Sequence, residues 1–169
     1  MSSFNIGNFL VLYIIISRVF ELILSYINTK NLIQRGAKEC YREHYKFIVI
    51  FHLIFVFYFL YKSLHITNLN LYFFYLFILL QFIRYKVIFD LGKYWTTRII
   101  VLESVPLLKN GMYKYFKHPN YFVVLLEIFF VCIIFQDISA MVVFLSIKII
   151  LLKIRISCEN KANKNRIKI

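Results

Sequence analysis

Residues 121–155 read YFVVLLEIFFVCIIFQDISAMVVFLSIKIILLKIR. Two apolar runs, Tyr121–Phe135 and Ile138–Ile154, are separated only by the polar pair Gln136-Asp137. A membrane-spanning helix needs about 20 mainly apolar residues, so the first run is expected to extend into its flanks. The stretch therefore predicts two successive antiparallel helices inside a membrane, with Glu127 and Lys148 as ionisable residues within them.

Three more apolar segments precede this pair, and together they dominate the chain. Of its 169 residues, 61% are hydrophobic and 20% are aromatic. A soluble domain of this length has too little interior to bury so much apolar surface, whereas a bilayer accepts it on the outside. The sequence predicts an all-α integral membrane protein, one domain over residues 1–169, with about five transmembrane helices. The three earlier segments are Phe4–Leu24, Phe47–Tyr61 and Leu71–Ile83.

Basic residues are distributed unevenly between the connections. The formal net charge is +13, and all Lys and Arg except Arg18, Lys62 and Lys148 lie in three segments: Ser25–Lys46, Arg84–Asn120 and the tail from Lys153. Basic loops mark the cytoplasmic face of a membrane protein. The pattern predicts an N-terminus outside, a C-terminus in the cytoplasm and a multi-pass protein of the cell membrane. It argues against a nucleic-acid partner, which would need a basic face on a soluble fold.

The connection Arg84–Asn120 is long enough to be a structured cytoplasmic region before the fourth span. A helical continuation of the third span is predicted over Arg84–Lys93, interrupted at Gly92. Ile99–Leu102 is a short β-like run, and Asn110-Gly111 is a turn signal. Pro119 fits the first turn of the fourth helix, because proline there loses no hydrogen bond.

The sequence gives little support for a disulfide framework, a metal site or a nucleotide-binding motif. The three cysteines, Cys40, Cys132 and Cys158, form no CxxC pair and predict neither a disulfide framework nor a metal site. Dinucleotide-binding, P-loop and zinc-protease motifs are missing from the sequence.

Five ionisable residues lie inside the apolar segments: Arg18, Glu21, His52, Glu127 and Lys148. Such groups are costly in a membrane and usually functional. Two interpretations stay open. The residues could form private pairs, Arg18 with Glu21 and Glu127 with Lys148, that only hold helices together. Alternatively, they could line a polar cavity that opens to the cytosol.

Two stretches resemble a known enzyme family. Residues 111–121, GMYKYFKHPNY, resemble the G-P-Y-x-x-x-R-H-P-x-Y signature of the isoprenylcysteine carboxyl methyltransferase family. Residues 84–98, RYKVIFDLGKYWTTR, resemble the shorter bacterial branch. Arg18 with Glu21, and His44-Tyr45, match further positions of that branch, and the densest matches run over 84–159. Met112, Lys117 and Cys158 depart from the family's usual Pro, Arg and Glu.

The resemblance implies an S-adenosylmethionine-dependent O-methyltransferase that acts in the membrane on a lipophilic acceptor, among membrane lipids. The acceptor group would be of the isoprenylcysteine carboxylate type or of the alkylpyrone hydroxyl type. The implied catalytic residues are His118, Arg155 and Glu159. The implied cofactor-binding residues are Tyr113, Lys117, His118, Pro119, Tyr121, Glu127 and Glu159.

A rival hypothesis needs no catalysis. In it the chain is a helical membrane adaptor or transporter subunit, and its buried charges pair for stability alone. This hypothesis predicts that Glu127 and Lys148 matter for folding, while His118 and Tyr121 tolerate substitution.

Overall fold

Five α-helices form the protein in the computed structural model, which describes residues 6–66, 68–107 and 110–164. They are α1 (Ile6–Gln34), α2 (Arg42–His65), α3 (Leu71–Leu91), α4 (Pro119–Ile134) and α5 (Ile138–Ala162). Phe4, the predicted start of the first segment, lies outside the described residues. The helix that contains the second apolar segment extends beyond it on both sides, whereas the helix that contains the third begins with it and extends well beyond its end. The extension predicted for the run Tyr121–Phe135 is mostly absent, because α4 gains only two residues at its start and ends one residue earlier.

Three helices are long and apolar enough to cross a membrane: α1, α2 and α3 with the turn that continues it to Tyr94. The helix α4 is apolar but shorter. The prediction of an all-α membrane protein is confirmed at this level. The number of spans and their orientation stay predictions.

The helices pack around an aromatic core. α3 packs on α4, α4 on α5, α5 on α2, and α2 on α1. Phe55 and Phe59 of α2 lie against Phe144 of α5 and Phe135 after α4, with the Phe55 and Phe144 ring centroids 5.1 Å apart in an edge-to-face arrangement. Offset and edge-to-face ring pairs of this kind add stabilisation beyond apolar burial.

The tight turn between α4 and α5 is fixed by Asp137. Its carboxylate accepts a hydrogen bond from the Ala140 N–H, which caps α5, and contacts Tyr58 and Lys62 of α2. Burial alone would raise the pKa of Asp137, but the hydrogen bonds from Lys62, Tyr58 and Ala140 lower it. Asp137 therefore stays ionised and ties the α4–α5 hairpin to α2.

A small β-ladder lies at the opposite end of the bundle. Strand β1 (Lys38–Cys40) pairs antiparallel with β2 (Ile99–Val101), and Glu39 accepts a hydrogen bond from Arg98 at 3.0 Å. The predicted β-like run is confirmed in β2, which ends one residue earlier. Gly92 ends α3 with φ at 49°, in the left-handed region that favours glycine, so the predicted interruption is confirmed.

Candidate functional site

A cavity of about 760 Å³ lies at the basic end of the bundle, between the α3–α4 connection, the start of α4 and the end of α5. We call it the first cavity. Its volume is in the range of small-molecule sites. It brings together six of the residues singled out in the sequence: Tyr113, Lys117, His118, Tyr121, Arg155 and Glu159.

Four of these side chains form one connected group in the wall of the first cavity. The Tyr121 hydroxyl donates to the Glu159 carboxylate and accepts from Arg155 Nε at 2.8 Å. The His118 ring stacks on the Tyr121 ring at 5.0 Å, and its Nδ1 lies 3.7 Å from Glu159 Oε2. Arg155 and Glu159 can act together because residues four apart share one face of a helix.

His118 presents an uncharged nitrogen at the edge of the cavity. Burial lowers the pKa of His118 below the usual value for histidine, and Lys117 and Arg155 lower it further, while Glu159 opposes the shift. Its buried Nε2 has no hydrogen-bond partner within the described residues. The ring is therefore neutral near pH 7 and has one nitrogen left to bind a ligand.

The loop that carries Tyr113 is fixed by the end of α3. Asp90 Oδ2 accepts a hydrogen bond from the Met112 N–H at 2.8 Å, and Asp90 also pairs with Lys86 one turn earlier, at the predicted i,i+4 spacing. Gly111 has φ at 53° and lies so close to Asp90 that a Cβ there would overlap the carboxylate. The sequence signal for a turn at Asn110-Gly111 thus has a second cause, the close approach of α3.

Gly111→Ala is expected to lower the free energy of unfolding by about 1–3 kcal/mol, the cost of an unfavourable backbone conformation, with the clash in addition. Thermal unfolding in detergent would measure the change. Gly36→Ala is the matched control, because Gly36 also has a positive φ, 88°, but has no neighbour within 4 Å of the added Cβ. Equal losses in the two variants would show that Asp90 moves aside without cost.

Residues 92–97, which follow α3, are hydrogen-bonded to α1 and lie between the first cavity and the helix bundle. Asn28 donates to the carbonyl oxygens of Gly92 and Trp95 at 3.0 and 2.9 Å, and Ser25 Oγ accepts from the Thr97 N–H at 2.9 Å. These bonds fix Trp95, whose side chain is buried. The Arg155 guanidinium donates to the Thr97 carbonyl at 2.6 Å, so α5 is joined to the same segment.

Behind this segment lies a second cavity of about 240 Å³, bounded by α1, α2, α4 and α5. We call it the second cavity. Most of its wall is apolar, with Leu22, Val49 and Leu53 among the lining residues. It shares four wall residues with the first cavity: Trp95, Asn120, Tyr121 and Arg155. The two spaces therefore meet at one shared wall.

A charge network of Arg18, Glu21, Arg84 and Glu127 borders the second cavity, and all four residues except Glu127 are part of its wall. Arg18 pairs with Glu21 at 3.0 Å and with Glu127, while Arg84 pairs with Glu127 and, through Nη2 at 2.7 Å, with Glu21. The predicted Arg18–Glu21 pair is confirmed, as part of a larger group. The predicted Glu127–Lys148 pair is wrong: Glu127 binds the two arginines, and Lys148 lies 3.0 Å from His52 Nε2.

The geometry of α4 explains why Glu127 faces neighbouring helices and not the first cavity. Glu127 follows Tyr121 by six residues, so their side chains point about 120° apart around a helix with 3.6 residues per turn. Tyr121 faces the first cavity, and Glu127 instead faces α1 and α3, where it is 1% exposed. Neither Glu127 nor Pro119, both implied as cofactor-binding residues, lines the first cavity. Pro119 begins α4, as predicted.

Sequence reasoning missed several residues that the fold brings to the site. Arg84 was counted as a loop cation, yet it is 1% exposed at the centre of the charge network. Its position directly after an apolar run that only Gln81 interrupts is the available signal. Asn120 and Trp95 were part of quoted motifs but received no role, and Asn160, which accepts from Lys117 Nζ at 2.8 Å, carried no signal.

Comparison with known proteins identifies a family and two relatives that this chain resembles. The model of the isoprenylcysteine carboxyl methyltransferase (ICMT) family matches residues 70–164. The uncharacterized protein YpbQ of Bacillus subtilis (strain 168) is 34% identical over 158 residues, which cover 90% of this chain and 94% of YpbQ. An uncharacterized protein of Haemophilus influenzae is 25% identical over 150 residues, 86% of this chain and 87% of the relative. No solved structure matches the chain significantly.

Proposed function

The chain belongs to the isoprenylcysteine carboxyl methyltransferase family, and we propose that it transfers a methyl group from S-adenosylmethionine to an oxygen of a lipophilic acceptor. Membership in this family indicates a membrane methyltransferase. The cofactor, the acceptor oxygen and the location in the cell membrane are our proposal. The two acceptor types that the sequence implied, a carboxylate and a ring hydroxyl, both remain within it.

The observation that carries the proposal is the shared wall between the two cavities. The first cavity opens at the basic, polar end of the bundle, where a soluble cofactor would enter. The second is lined mainly by apolar residues and lies among helices with exposed apolar faces, which suits a lipid. A group-transfer enzyme needs two such compartments in contact, because the reacting atoms must be aligned at about 3–3.5 Å.

The residues of the first cavity fit the proposed cofactor, which supplies a methyl group bonded to a positively charged sulfur. Tyr113, Tyr121 and Phe116 offer aromatic faces, and Glu159 offers a carboxylate, both of which favour a cation. Lys117 can bind the amino acid carboxylate of the cofactor. Burial raises the pKa of Tyr113 above the usual value for tyrosine, so its hydroxyl stays protonated and can donate.

Arg155 has the central position in the proposed mechanism. It lines both cavities, and its guanidinium holds the Tyr121 hydroxyl and the Thr97 carbonyl. Its positive charge would orient an anionic acceptor oxygen towards the shared wall. Trp95, 3% exposed, closes this wall against water, and exclusion of water strengthens every charge interaction at the site. His118, uncharged, would complete the binding of cofactor or acceptor through Nε2.

The rival function, a non-catalytic membrane subunit, accounts for the charge network but not for the first cavity. The two arginines and two glutamates of the network balance one another's charge, as a structural network requires. The group of His118, Tyr121, Arg155 and Glu159 borders an open space instead. A structural role alone gives no reason for that placement.

Membranes that contain the protein are expected to transfer labelled methyl groups from S-adenosylmethionine to a product in the organic extract of the same cells. His118→Ala should lower this transfer about tenfold or more, since removal of a positioned polar group commonly costs that much. His65→Ala is the control, because His65 is exposed at the far end of α2. A wild-type protein that neither binds the cofactor nor labels any lipid would refute the proposal.

A further inference from the structure

Lys148 and His52 form a buried pair that the proposed mechanism does not use. Lys148 lies on α5 with 2% of its surface exposed, and its Nζ is 3.0 Å from His52 Nε2 on α2. The same Nζ lies 5.2 Å from the centroid of the Phe51 ring. Because an ammonium group can only donate, the imidazole nitrogen accepts this hydrogen bond. His52 therefore orients Lys148 without supplying a negative charge.

Lys148 has no carboxylate partner of its own. Each arginine of the charge network binds both Glu21 and Glu127, so the two positive and two negative charges balance. Within the described residues, Arg18 Nε and Glu127 Oε1 have no hydrogen-bond partner. Among residues 6–66, 68–107 and 110–164, Lys148 forms no salt bridge. Glu127 attracts Lys148 electrostatically but does not form a salt bridge with it. An ammonium with no carboxylate in contact is costly among apolar helices and usually marks a binding pathway. An anion from a ligand would compensate it.

The second cavity has room for such an anion next to Lys148. Both Lys148 and His52 line it, together with Arg155. Arg18, Arg84 and Glu21 also line it, but these three side chains are paired with one another. Lys148 and Arg155 are seven residues apart on α5, which puts them on one helix face about two turns, or roughly 10 Å, apart along the axis. A negatively charged group in the second cavity would thus lie between two cations, at the wall that the first cavity shares.

We propose that Lys148, oriented by His52, binds the anionic head group of the lipophilic acceptor. The acceptor is then an amphiphile with an ionised oxygen, and neutral lipids such as long-chain alcohols are poor substrates. This inference rests on the proposed methyl transfer. In that reaction the acceptor oxygen uses an electron pair to form the C–O bond, and the electron pair of the breaking C–S bond goes to sulfur, which becomes a neutral thioether. The product is neutral, loses its attraction to Lys148 and returns to the bilayer.

The single tryptophan of the chain allows a test that needs no cofactor. Trp95 lines both cavities and is buried from the surrounding lipid. The probes are a dibrominated stearic acid and its methyl ester, whose bromine atoms quench tryptophan fluorescence. They are titrated into the full-length protein in phosphatidylcholine nanodiscs. The wild type is expected to bind the acid about tenfold more tightly than the ester, the size of one charge-assisted contact.

Lys148→Met should abolish the preference for the acid, and Lys153→Met, an exposed lysine of the same helix, should retain it. Lys148→Arg keeps the charge and should keep most of the preference, which separates loss of binding from misfolding.

His52→Gln can still accept a hydrogen bond from Lys148 and should retain the binding that His52→Phe loses. Equal quenching of the wild type by acid and ester, or a preference that survives Lys148→Met, would overturn the proposal. If the wild type binds the acid with this preference but transfers no methyl group, only the proposed function is refuted.

Discussion

Arg155→Ala is expected to lower the rate of methyl transfer by about 100- to 1,000-fold, the usual cost of losing one preorganised charged donor at a reacting centre. The guanidinium holds three groups of the shared wall together: the Tyr121 ring beneath it, the Tyr121 hydroxyl and the Thr97 carbonyl. Without it, the wall between the two cavities loses its charge, and the Tyr121 hydroxyl loses one of its two hydrogen-bond partners.

Single-turnover rates at saturating cofactor would measure this effect, with cofactor affinity recorded separately. Arg155→Lys should recover part of the rate, because it keeps the charge but cannot form the planar, forked contacts of a guanidinium. Lys153→Ala, exposed on the same helix, should leave the rate within about twofold, as surface substitutions usually do. A rate in Arg155→Ala close to that of the wild type would remove Arg155 from the reaction and leave it a binding residue at most.

The second large effect concerns stability. Glu127→Leu is expected to lower the free energy of unfolding by about 3–5 kcal/mol, because removing one partner of a buried ionic group leaves uncompensated charge. Arg84, 1% exposed, would keep only Glu21 as a counter-charge, and Arg18 would share the same carboxylate. Reversible unfolding in mixed detergent, monitored by Trp95 fluorescence, is a suitable measurement.

Glu159→Leu is the matched control, because the same substitution there removes a carboxylate whose side chain is 31% exposed. It should destabilise the fold less than Glu127→Leu does, because Glu159 is only half-buried and its contacts are with the Tyr121 hydroxyl and a neutral His118. It should nevertheless strongly reduce methyl transfer. The double variant Arg84→Met/Glu127→Leu should recover part of the lost stability, since the Arg18–Glu21 pair remains. If Glu127→Leu folds as stably as the wild type, the charge network does not hold α1, α3 and α4 together.

The motif residues of the site could be predicted because they are close in sequence or share a helix face. Tyr113, Lys117, His118 and Tyr121 come from one continuous stretch, and Arg155 and Glu159 are four apart on α5. The structure then places both groups around the first cavity. Their assignment to cofactor binding and catalysis stays a prediction, which the Arg155 and His118 variants test.

The partners of the buried charges could not be predicted in the same way. Arg18 meets Glu127 across 109 positions of the chain, and Lys148 meets His52 across 96. Depth in the membrane suggested Glu127 and Lys148 as partners, but depth says nothing about rotation around the helix axis. That rotation is decided by which neighbouring helices pack against each face.

The sequence by itself determined the five helices, the break at Gly92 and the short strand at Ile99–Val101, because hydrophobicity and backbone preference act over a few residues. It also predicted the 121–155 helical hairpin, whose place in a membrane stays a prediction. Only the tertiary structure decided that the faces of this hairpin differ: Tyr121 and Arg155 border the cavities, Glu127 completes a charge network with α1 and α3, and Lys148 turns to α2. These contacts depend on helix packing, which brings together residues that no local pattern relates.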